Sequence, residues 1–220
     1  MSADALNHFF EEYEDLPRST FFVHNATEKI PPAKHIFNPH PTIVDLDKMD
    51  DLNSLTELSG IRKMGIRTHS CVNSHMLSLE WSKRNFFYQS VVCELGNTEI
   101  KPYMLPWNIW EVPIFYMDNL VLWSNKNIKS RTLRNADYLA KALDSDKFYV
   151  FDFHPIHIAL NTSSTDYYAR VKSKIIDEKI NPWILSSNAK GIRNFFEKVL
   201  EVVVNQKLPD LTIENHLKLL

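Results

Sequence analysis

Glycine is scarce in this chain, and the few glycines present form no phosphate-binding loop. Only 4 of the 220 residues are glycine, whereas the P-loop and the dinucleotide-binding fingerprint both need several glycines within a few positions. The sequence therefore argues against a nucleoside-triphosphate site of that type and against a Rossmann site. It also contains no Gly-x-Ser-x-Gly motif, which argues against a serine hydrolase with the usual nucleophile elbow.

Cysteines and long apolar runs are also rare. The two cysteines, Cys71 and Cys93, are too few for a disulfide scaffold and are typical of a reducing compartment. The stretch "MSADALNHFF" has neither the basic nor the apolar region of a signal peptide. No apolar run approaches the roughly 20 residues that a membrane-spanning helix needs. These features predict a cytoplasmic protein with no membrane span.

Basic clusters are missing as well. The net charge is −2 and no block of Lys or Arg occurs, so neither nucleic acid nor an anionic membrane is an expected partner. Hydrophobic residues make up 44% and charged residues 24%, which is typical of a soluble globular protein. With no internal repeat and no linker, the sequence predicts a single domain over residues 1–220.

Short apolar segments alternate with helical patterns along the chain. Apolar residues recur at helical spacing in residues 3–16 and again in "NAKGIRNFFEKVLEVVVNQ", whereas "STFFV" and "KFYVFDF" are typical of strands. Strands that alternate with helices predict an α/β fold with a mainly parallel sheet.

Histidines are concentrated where the predicted strands end. Four strand-like segments end at or beside histidines, namely His24, His40, His69 and the pair His154 and His157. In (β/α) barrels the functional residues lie at the carboxyl ends of the strands, and imidazole titrates near neutral pH. This convergence predicts a catalytic or binding site at the open end of a barrel.

The pair His154 and His157 carries the strongest part of this prediction. It follows a nearly continuous apolar run, which predicts a strand that is buried on both faces and a non-helical backbone between the two rings. Such a pair can act as general acid and base or can bind a metal. Asp152 could orient one ring, and Glu111 or Asp118 could bring a carboxylate to the same strand ends.

The other strand-end histidines have neighbours that favour a functional role. Pro41 stiffens the backbone that presents His40, although His35 is an open alternative to it. Arg67 and His69 lie in "RTHS" after an apolar strand, and such side chains are costly to bury without partners.

The sequence resembles the polysaccharide deacetylase superfamily, in particular its branch encoded with bacterial surface-polysaccharide genes. The most specific matching segments are "GIRTHS" and "FHPIHIALNT", and the others, in the same order, are "STFFV", "NPHP", "FFYQS", "EVPIFYMDN" and "GIRNF". The resemblance implies a distorted (β/α) barrel in which a divalent metal polarises an acetamido carbonyl and activates water.

The resemblance also implies roles for individual residues. His40 and His69 would bind the metal, most naturally Zn²⁺. His154 or His157 would be the acid, and Arg67 would orient a carboxylate or the substrate. Substrate contacts are expected from Asn161, Trp107 and Asp118. The function implied is a metal-dependent deacetylase that acts on an N-acetylated sugar in surface-polysaccharide biosynthesis.

Two departures from the family pattern lead to a second hypothesis. The family's first strand, with its aspartates, has no counterpart before the first helix, and Asn73 stands where the family has a second histidine. The alternative is therefore a catalytically inactive barrel that binds carbohydrate or a biosynthetic partner. A third hypothesis is a metal-independent hydrolase or lyase that uses the histidine pair and Arg67. A barrel without its first strand would also expose sheet edges, which predicts low stability or a homo-oligomer.

Overall fold

The computed structural model describes residues 3–23, 34–42, 65–124, 146–209 and 211–220, together with residues 135, 138 and 143. His24 lies outside these described residues. The chain divides into two compact units. The first unit comprises Met1–Leu16, Leu95–Thr98 and Phe115–Pro209, and the second comprises Pro17–Glu94, Glu99–Ile114 and Asp210–Leu220.

The second unit contains two sheets, one of two strands and one of four, whose strands are mostly parallel. Its strands are β1 (Thr20–Val23), β2 (Ile36–Pro39), β3 (Gly65–Ile66), β4 (Tyr88–Gln89), β5 (Tyr103–Met104) and β6 (Trp110–Glu111). Strand β1 pairs with β2, β3 with β4 and β4 with β6, all parallel, whereas β5 pairs antiparallel with β6. The backbone N–H of Arg67 donates to the Pro39 carbonyl at 3.2 Å. The chain leaving β3 therefore runs beside the chain leaving β2.

Two helices complete the described part of the second unit. Helix α2 (His75–Lys83) begins after Ser74, whose hydroxyl accepts the Leu77 N–H at 3.1 Å as an N-cap. Its apolar face packs into a buried cluster that includes Ile66, Leu77, Trp81, Phe86 and Ile109. Each such side chain contributes about 1.5–3 kcal/mol when it is fully buried. Helix α7 (Ile213–Leu217) follows its own cap, Thr212.

Helix α7 is anchored to both sheets of the second unit by a buried carboxylate. Glu214 accepts hydrogen bonds from the Tyr88 hydroxyl at 2.5 Å, the Asn38 amide at 2.6 Å and the Thr20 hydroxyl at 3.1 Å. Gly65 makes room for the Tyr88 ring, because a Cβ at this position would lie only 1.9 Å from a ring carbon. These contacts tie residue 214 to strand residues that lie 126 to 194 positions earlier in the chain.

The first unit pairs two short parallel strands and surrounds them with helices. Strand β7 (Tyr116–Met117) pairs with β8 (Phe151–Asp152), and helices flank them at α1 (Ala3–Glu12), α3 (Asp118–Trp123), α4 (Pro155–Ala159), α5 (Thr165–Ile176) and α6 (Ile192–Asn205). The predicted helices at residues 3–16 and 188–206 therefore correspond to α1 and α6. Helix α6 buries the face formed by Ile192, Phe195, Phe196, Val199 and Val202.

Parallel strands and flanking helices confirm the predicted α/β fold. Over the residues that the structure describes, the strands form sheets of two, four and two strands, none of which closes on itself. The run before His154 was predicted as a strand buried on both faces, but only Phe151–Asp152 are in a strand and both are half-buried. None of the described helices is long and apolar enough to cross a membrane.

Candidate active site

The parallel pairing of β7 and β8 brings Asp118 close to His154. Asp118 is the first residue of α3, directly after β7, and His154 lies two residues after β8. Because parallel strands end at the same edge of a sheet, side chains that follow them emerge together. The His154 ring nitrogen Nδ1 lies 2.6 Å from Oδ1 of Asp118.

Asp118 is a fully buried carboxylate whose oxygens accept three hydrogen bonds. Besides His154 Nδ1, it accepts the backbone N–H of His154 at 2.8 Å and that of Asn119 at 2.6 Å. Burial by itself would raise the pKa of Asp118, but its charge interaction and hydrogen bonds with His154, together with the nearby His157, hold that pKa below its ordinary value. Asp118 is therefore an ionised acceptor that fixes the orientation of the His154 ring.

The two members of this pair differ sharply in exposure. The side chain of His154 is 34% exposed, whereas that of Asp118 is 0% exposed. A buried carboxylate behind a solvent-accessible imidazole holds the ring in one tautomer and stabilises the imidazolium, as in catalytic triads. This geometry suits an imidazole that transfers protons to and from a bound molecule.

The hydrogen-bonded chain continues from His154 to the second histidine. The Asn119 amide nitrogen lies 3.0 Å from His154 Nε2, and the Asn119 amide oxygen lies 2.6 Å from His157 Nε2. His157 Nδ1 lies 3.0 Å from the Thr162 hydroxyl. His157 is 3% exposed, and burial lowers its pKa below the ordinary value, although Asp118 opposes that effect.

The backbone between the two histidines is helical, which corrects the sequence prediction. Helix α4 begins at Pro155, so His154 is its N-cap and His157 lies within it. Proline suits the first helical position because its fixed φ fits the helix and no N–H is needed there. The "HPIH" segment therefore places one ring just before a helix and the other inside its first turn.

The loop after α4 is held by the start of α6. The Asn161 amide donates to the carbonyl oxygens of Ser187 and Ala189, each at 3.0 Å, and its oxygen accepts the Arg193 N–H at 3.1 Å. A Cβ on Gly191 would lie only 2.2 Å from the Asn161 carbonyl oxygen. Asn161 thus binds the segment that leads into α6, and its expected contact with substrate stays a prediction.

In the second unit, His40 directly follows β2 and His69 lies three residues after β3. Their ring centroids lie 5.4 Å apart, and the backbone N–H of His69 donates to the Pro41 carbonyl at 2.8 Å. His40 Nδ1 lies 2.7 Å from the Arg67 carbonyl oxygen. Since a carbonyl can only accept, the neutral His40 ring carries its proton on Nδ1, and Nε2 is the unprotonated nitrogen. Histidines that bind metals are commonly held by this type of hydrogen bond.

These two histidines alone do not complete a metal site. Among the described residues, no group of three His, Cys, Asp or Glu side chains could hold a metal ion. The described residues therefore supply the two histidines of the family's donor set without a carboxylate grouped with them. We assign no catalytic step to a metal for this reason, and the metal role of His40 and His69 stays a prediction.

Arg67 is a buried cation with several partners inside the second unit. Its guanidinium donates to the carbonyl and the hydroxyl of Ser90, at 2.9 and 2.7 Å, and lies 4.3 Å from the centroid of the Phe22 ring. It also lowers in part the pKa of Glu111, which burial raises. The predicted catalytic role of Arg67 is not tested by this arrangement.

Several residues differ in position or role from what the sequence suggested. Asp118 orients His154, whereas the sequence offered Asp152 for that part. Glu111 accepts the N–H groups of Val91 and Val92 at 3.0 Å each, a bonding pattern that supports the backbone. Trp107 lies in the β5–β6 hairpin and is 38% exposed. Its contact with substrate stays a prediction.

Two residues of the hydrogen-bonded chain were missed from the sequence. Asn119 is the last residue of a predicted strand, and the rule that identified the strand-end histidines could have found it. Thr162 follows a helix and a turn, and no pattern in the sequence indicates its contact with His157.

Comparison with known proteins identifies what this chain is similar to. The family model described as WbmS-like polysaccharide deacetylase matches residues 5–172. The fold is similar to that of a Bordetella bronchiseptica crystal structure at 1.90 Å resolution, described as a proposed polysaccharide deacetylase involved in O-antigen biosynthesis. The TM-score is 0.71 and the sequence identity 18%, over 91% of this chain and 85% of the other. No curated protein sequence matches the chain.

Proposed function

This chain belongs to the WbmS-like polysaccharide deacetylase family, and from that membership we propose that it hydrolyses the acetamido group of an N-acetylated sugar. In this reaction water adds to the acetyl carbon, the C–N bond breaks, and acetate and a free amine are formed. The observation that carries the proposal is the Asp118–His154 pair. An amide nitrogen is a poor leaving group until it is protonated, and a partly exposed imidazole can supply that proton.

His154 is the proton-transfer residue in this proposal, and Asp118 is its buried partner. The Nδ1–H of His154 donates to Asp118, with 2.6 Å between the nitrogen and Oδ1, so the ring exchanges its other proton at Nε2, the nitrogen that contacts Asn119. The imidazolium that forms when His154 takes up a proton is stabilised by the adjacent carboxylate. General acid–base catalysis of this kind contributes about 10²–10⁴-fold to rate.

The substrate class is proposed from the relative of known structure. That protein is described as involved in O-antigen biosynthesis, which supports an N-acetylated sugar of a bacterial surface polysaccharide as the substrate here. The distorted (β/α) barrel that the family resemblance implies belongs to the same proposal.

The test is acetate release from a panel of N-acetylhexosamines, offered free, as glycosides and as nucleotide sugars. His154→Gln should lower the rate by about 10²–10⁴-fold while the circular dichroism spectrum is unchanged. Asp166→Asn, an exposed carboxylate in the first turn of α5, is the control and should keep full activity. Full acetate release by His154→Gln would remove this residue from the mechanism.

Binding of a divalent cation by His40 and His69 is a separate part of the proposal. The Nδ1 hydrogen bond of His40 supports it, because that bond leaves Nε2 as the ligating nitrogen of a neutral ring. Imidazole is a common ligand of Zn²⁺ in hydrolytic sites, so Zn²⁺ is the metal to test first. Elemental analysis after incubation with Zn²⁺ should find the ion in the wild type and in His75→Ala, but not in His40→Ala or His69→Ala. Equal metal content in all four proteins would refute it.

An inactive, carbohydrate-binding protein is the second candidate. It is favoured by the incomplete set of metal donors among the described residues. This candidate predicts that calorimetry detects binding of an N-acetylated sugar, with or without chelator, while no acetate is released. Acetate release that depends on His154 would exclude it.

A further inference from the structure

The two histidines of the first unit are joined through one side-chain amide. Asn119 lies between them, with its nitrogen 3.0 Å from His154 Nε2 and its oxygen 2.6 Å from His157 Nε2. An amide has a donor end and an acceptor end. The orientation of Asn119 therefore dictates which nitrogen of each ring carries a proton.

Proton positions along the chain follow from its fixed end. Asp118 is an acceptor only, so His154 carries its proton on Nδ1, and its Nε2 accepts an N–H from Asn119. The Asn119 oxygen in turn accepts the Nε2–H of His157. His157 Nδ1 is then unprotonated and accepts the Thr162 hydroxyl at 3.0 Å. In this state both rings are neutral and every contact pairs one donor with one acceptor.

Adding a proton to His154 conflicts with this arrangement. A proton on Nε2 would face the Asn119 amide protons, so two donors would lie 3.0 Å apart. A half-turn of the amide removes the conflict, because its oxygen then accepts from His154. The amide nitrogen then donates to His157 Nε2, which must be unprotonated. His157 keeps one proton, now on Nδ1, and donates it to the Thr162 oxygen.

We propose that Asn119 is a proton-linked switch, which turns when His154 is protonated and thereby changes the tautomer of His157. One proton is gained, by His154, and none by His157. His157 is then a positioning residue that acts through Asn119. The inference depends on the proposed function only in that His154 is the residue that would use the proton.

The surroundings of the chain favour a single added charge. Asp118 of α3 is the carboxylate that faces His154, and the Tyr168 ring of α5 packs against His157 with centroids 4.8 Å apart. Burial lowers the pKa of His157, and the neighbouring His154 lowers it further, although Asp118 raises it. A change of tautomer satisfies the hydrogen bonds of His157 without placing a second charge there.

The test is a pH titration of the imidazole nitrogens by NMR on the full chain with ¹⁵N-labelled histidine and no sugar present. Above the midpoint of His154, His157 should be the Nε2–H tautomer, and below that midpoint it should be the Nδ1–H tautomer. His157 should change at the same pH at which His154 gains its proton. A His157 ring that keeps Nε2–H throughout, or that becomes doubly protonated with His154, would overturn the switch.

Two variants and a control separate the switch from simple packing. In Asn119→Leu the His157 tautomer should no longer follow the titration of His154, whereas in Tyr168→Phe, which keeps the ring contact, it should follow as in the wild type. Should Asn119→Leu not fold, His157→Phe serves instead. In His157→Phe the Asn119 amide can turn without losing a hydrogen bond to residue 157, so His154 should take up its proton at higher pH than in the wild type. An unchanged titration midpoint of His154 would count against the switch. Since no substrate is used, the result is independent of acetate release.

Discussion

Replacing Asp118 with asparagine should destabilise the first unit more than the same replacement of an exposed aspartate. The amide can keep one oxygen for the His154 ring, but its nitrogen then stands where the other carboxylate oxygen accepts the His154 N–H at 2.8 Å. Two donors would face each other in a site with 0% exposure. An unsatisfied buried donor costs about 1–3 kcal/mol, and the loss of a hydrogen bond to a charged group adds a similar amount.

The expected loss in the free energy of unfolding is about 2–6 kcal/mol at pH 7. For a chain of this size it corresponds to a fall in Tm of about 4–24 °C, measurable by thermal unfolding followed by circular dichroism. The matched control, Asp166→Asn, changes an exposed carboxylate and should stay within about 0.5 kcal/mol of the wild type.

The pH dependence of this difference tests the reasoning further. The pKa of Asp118 is held below its ordinary value of 3.8, so its ionised form stabilises the fold above that pH. This contribution is lost as the pH falls through the folded-state pKa. The difference in the free energy of unfolding between the wild type and Asp118→Asn should therefore decrease below pH 3.8. A variant as stable as the wild type at pH 7, or a gap that does not depend on pH, would refute the account.

Three further predictions follow from buried contacts. Gly191→Ala places a Cβ 2.2 Å from the Asn161 carbonyl oxygen and should lower the free energy of unfolding by about 1–3 kcal/mol or more. Lys190→Ala, at the exposed neighbouring residue, should have little effect when both variants are unfolded thermally. In the wild type the Gln89 amide nitrogen donates to Glu111 at 2.8 Å, and Glu111→Gln would place a second amide nitrogen opposite it. The change should lower the free energy of unfolding in chemical denaturation by about 1–3 kcal/mol. Wild-type stability would show that the Gln89 amide can turn. Burial lowers the pKa of His157 below 6.5, so the unfolded chain takes up a proton that the folded chain does not. Stability should therefore fall as the pH drops below 6.5, and less so in His157→Phe; identical acid dependence in both proteins would contradict the assignment.

Patterns that repeat along the sequence were sufficient to predict some elements. Helix α6 was predicted because Ile192, Phe195, Phe196 and Val199 recur at helical spacing, and the same residues are buried. The run before His154 was misjudged because continuous apolar character does not distinguish a strand from other buried backbone. Pro155 then starts a helix, which the sequence pattern did not reveal.

The candidate site was predictable only where strand ends mark it. His40, His69 and His154 each follow a strand, as the sequence indicated. The sequence offered Asp118 as one of three carboxylates for these strand ends but could not single it out as the partner of His154. Asp152 is the neighbour of His154 in sequence, whereas Asp118 follows the strand that pairs with β8. Which strands are adjacent depends on long-range pairing, and a single sequence carries no direct signal for that pairing.

The anchoring of helix α7 has a consequence for how the chain folds during synthesis. Glu214 is the acceptor for Tyr88 and Asn38, yet it is translated about 100 residues after the last strand of the second unit. At about 5–20 residues per second the nascent sheet waits roughly 5–20 seconds for that acceptor. Until then the Tyr88 hydroxyl and the Asn38 amide lack the carboxylate. The second unit therefore completes this set of hydrogen bonds only after residue 214 has left the ribosome, however early its strands have formed.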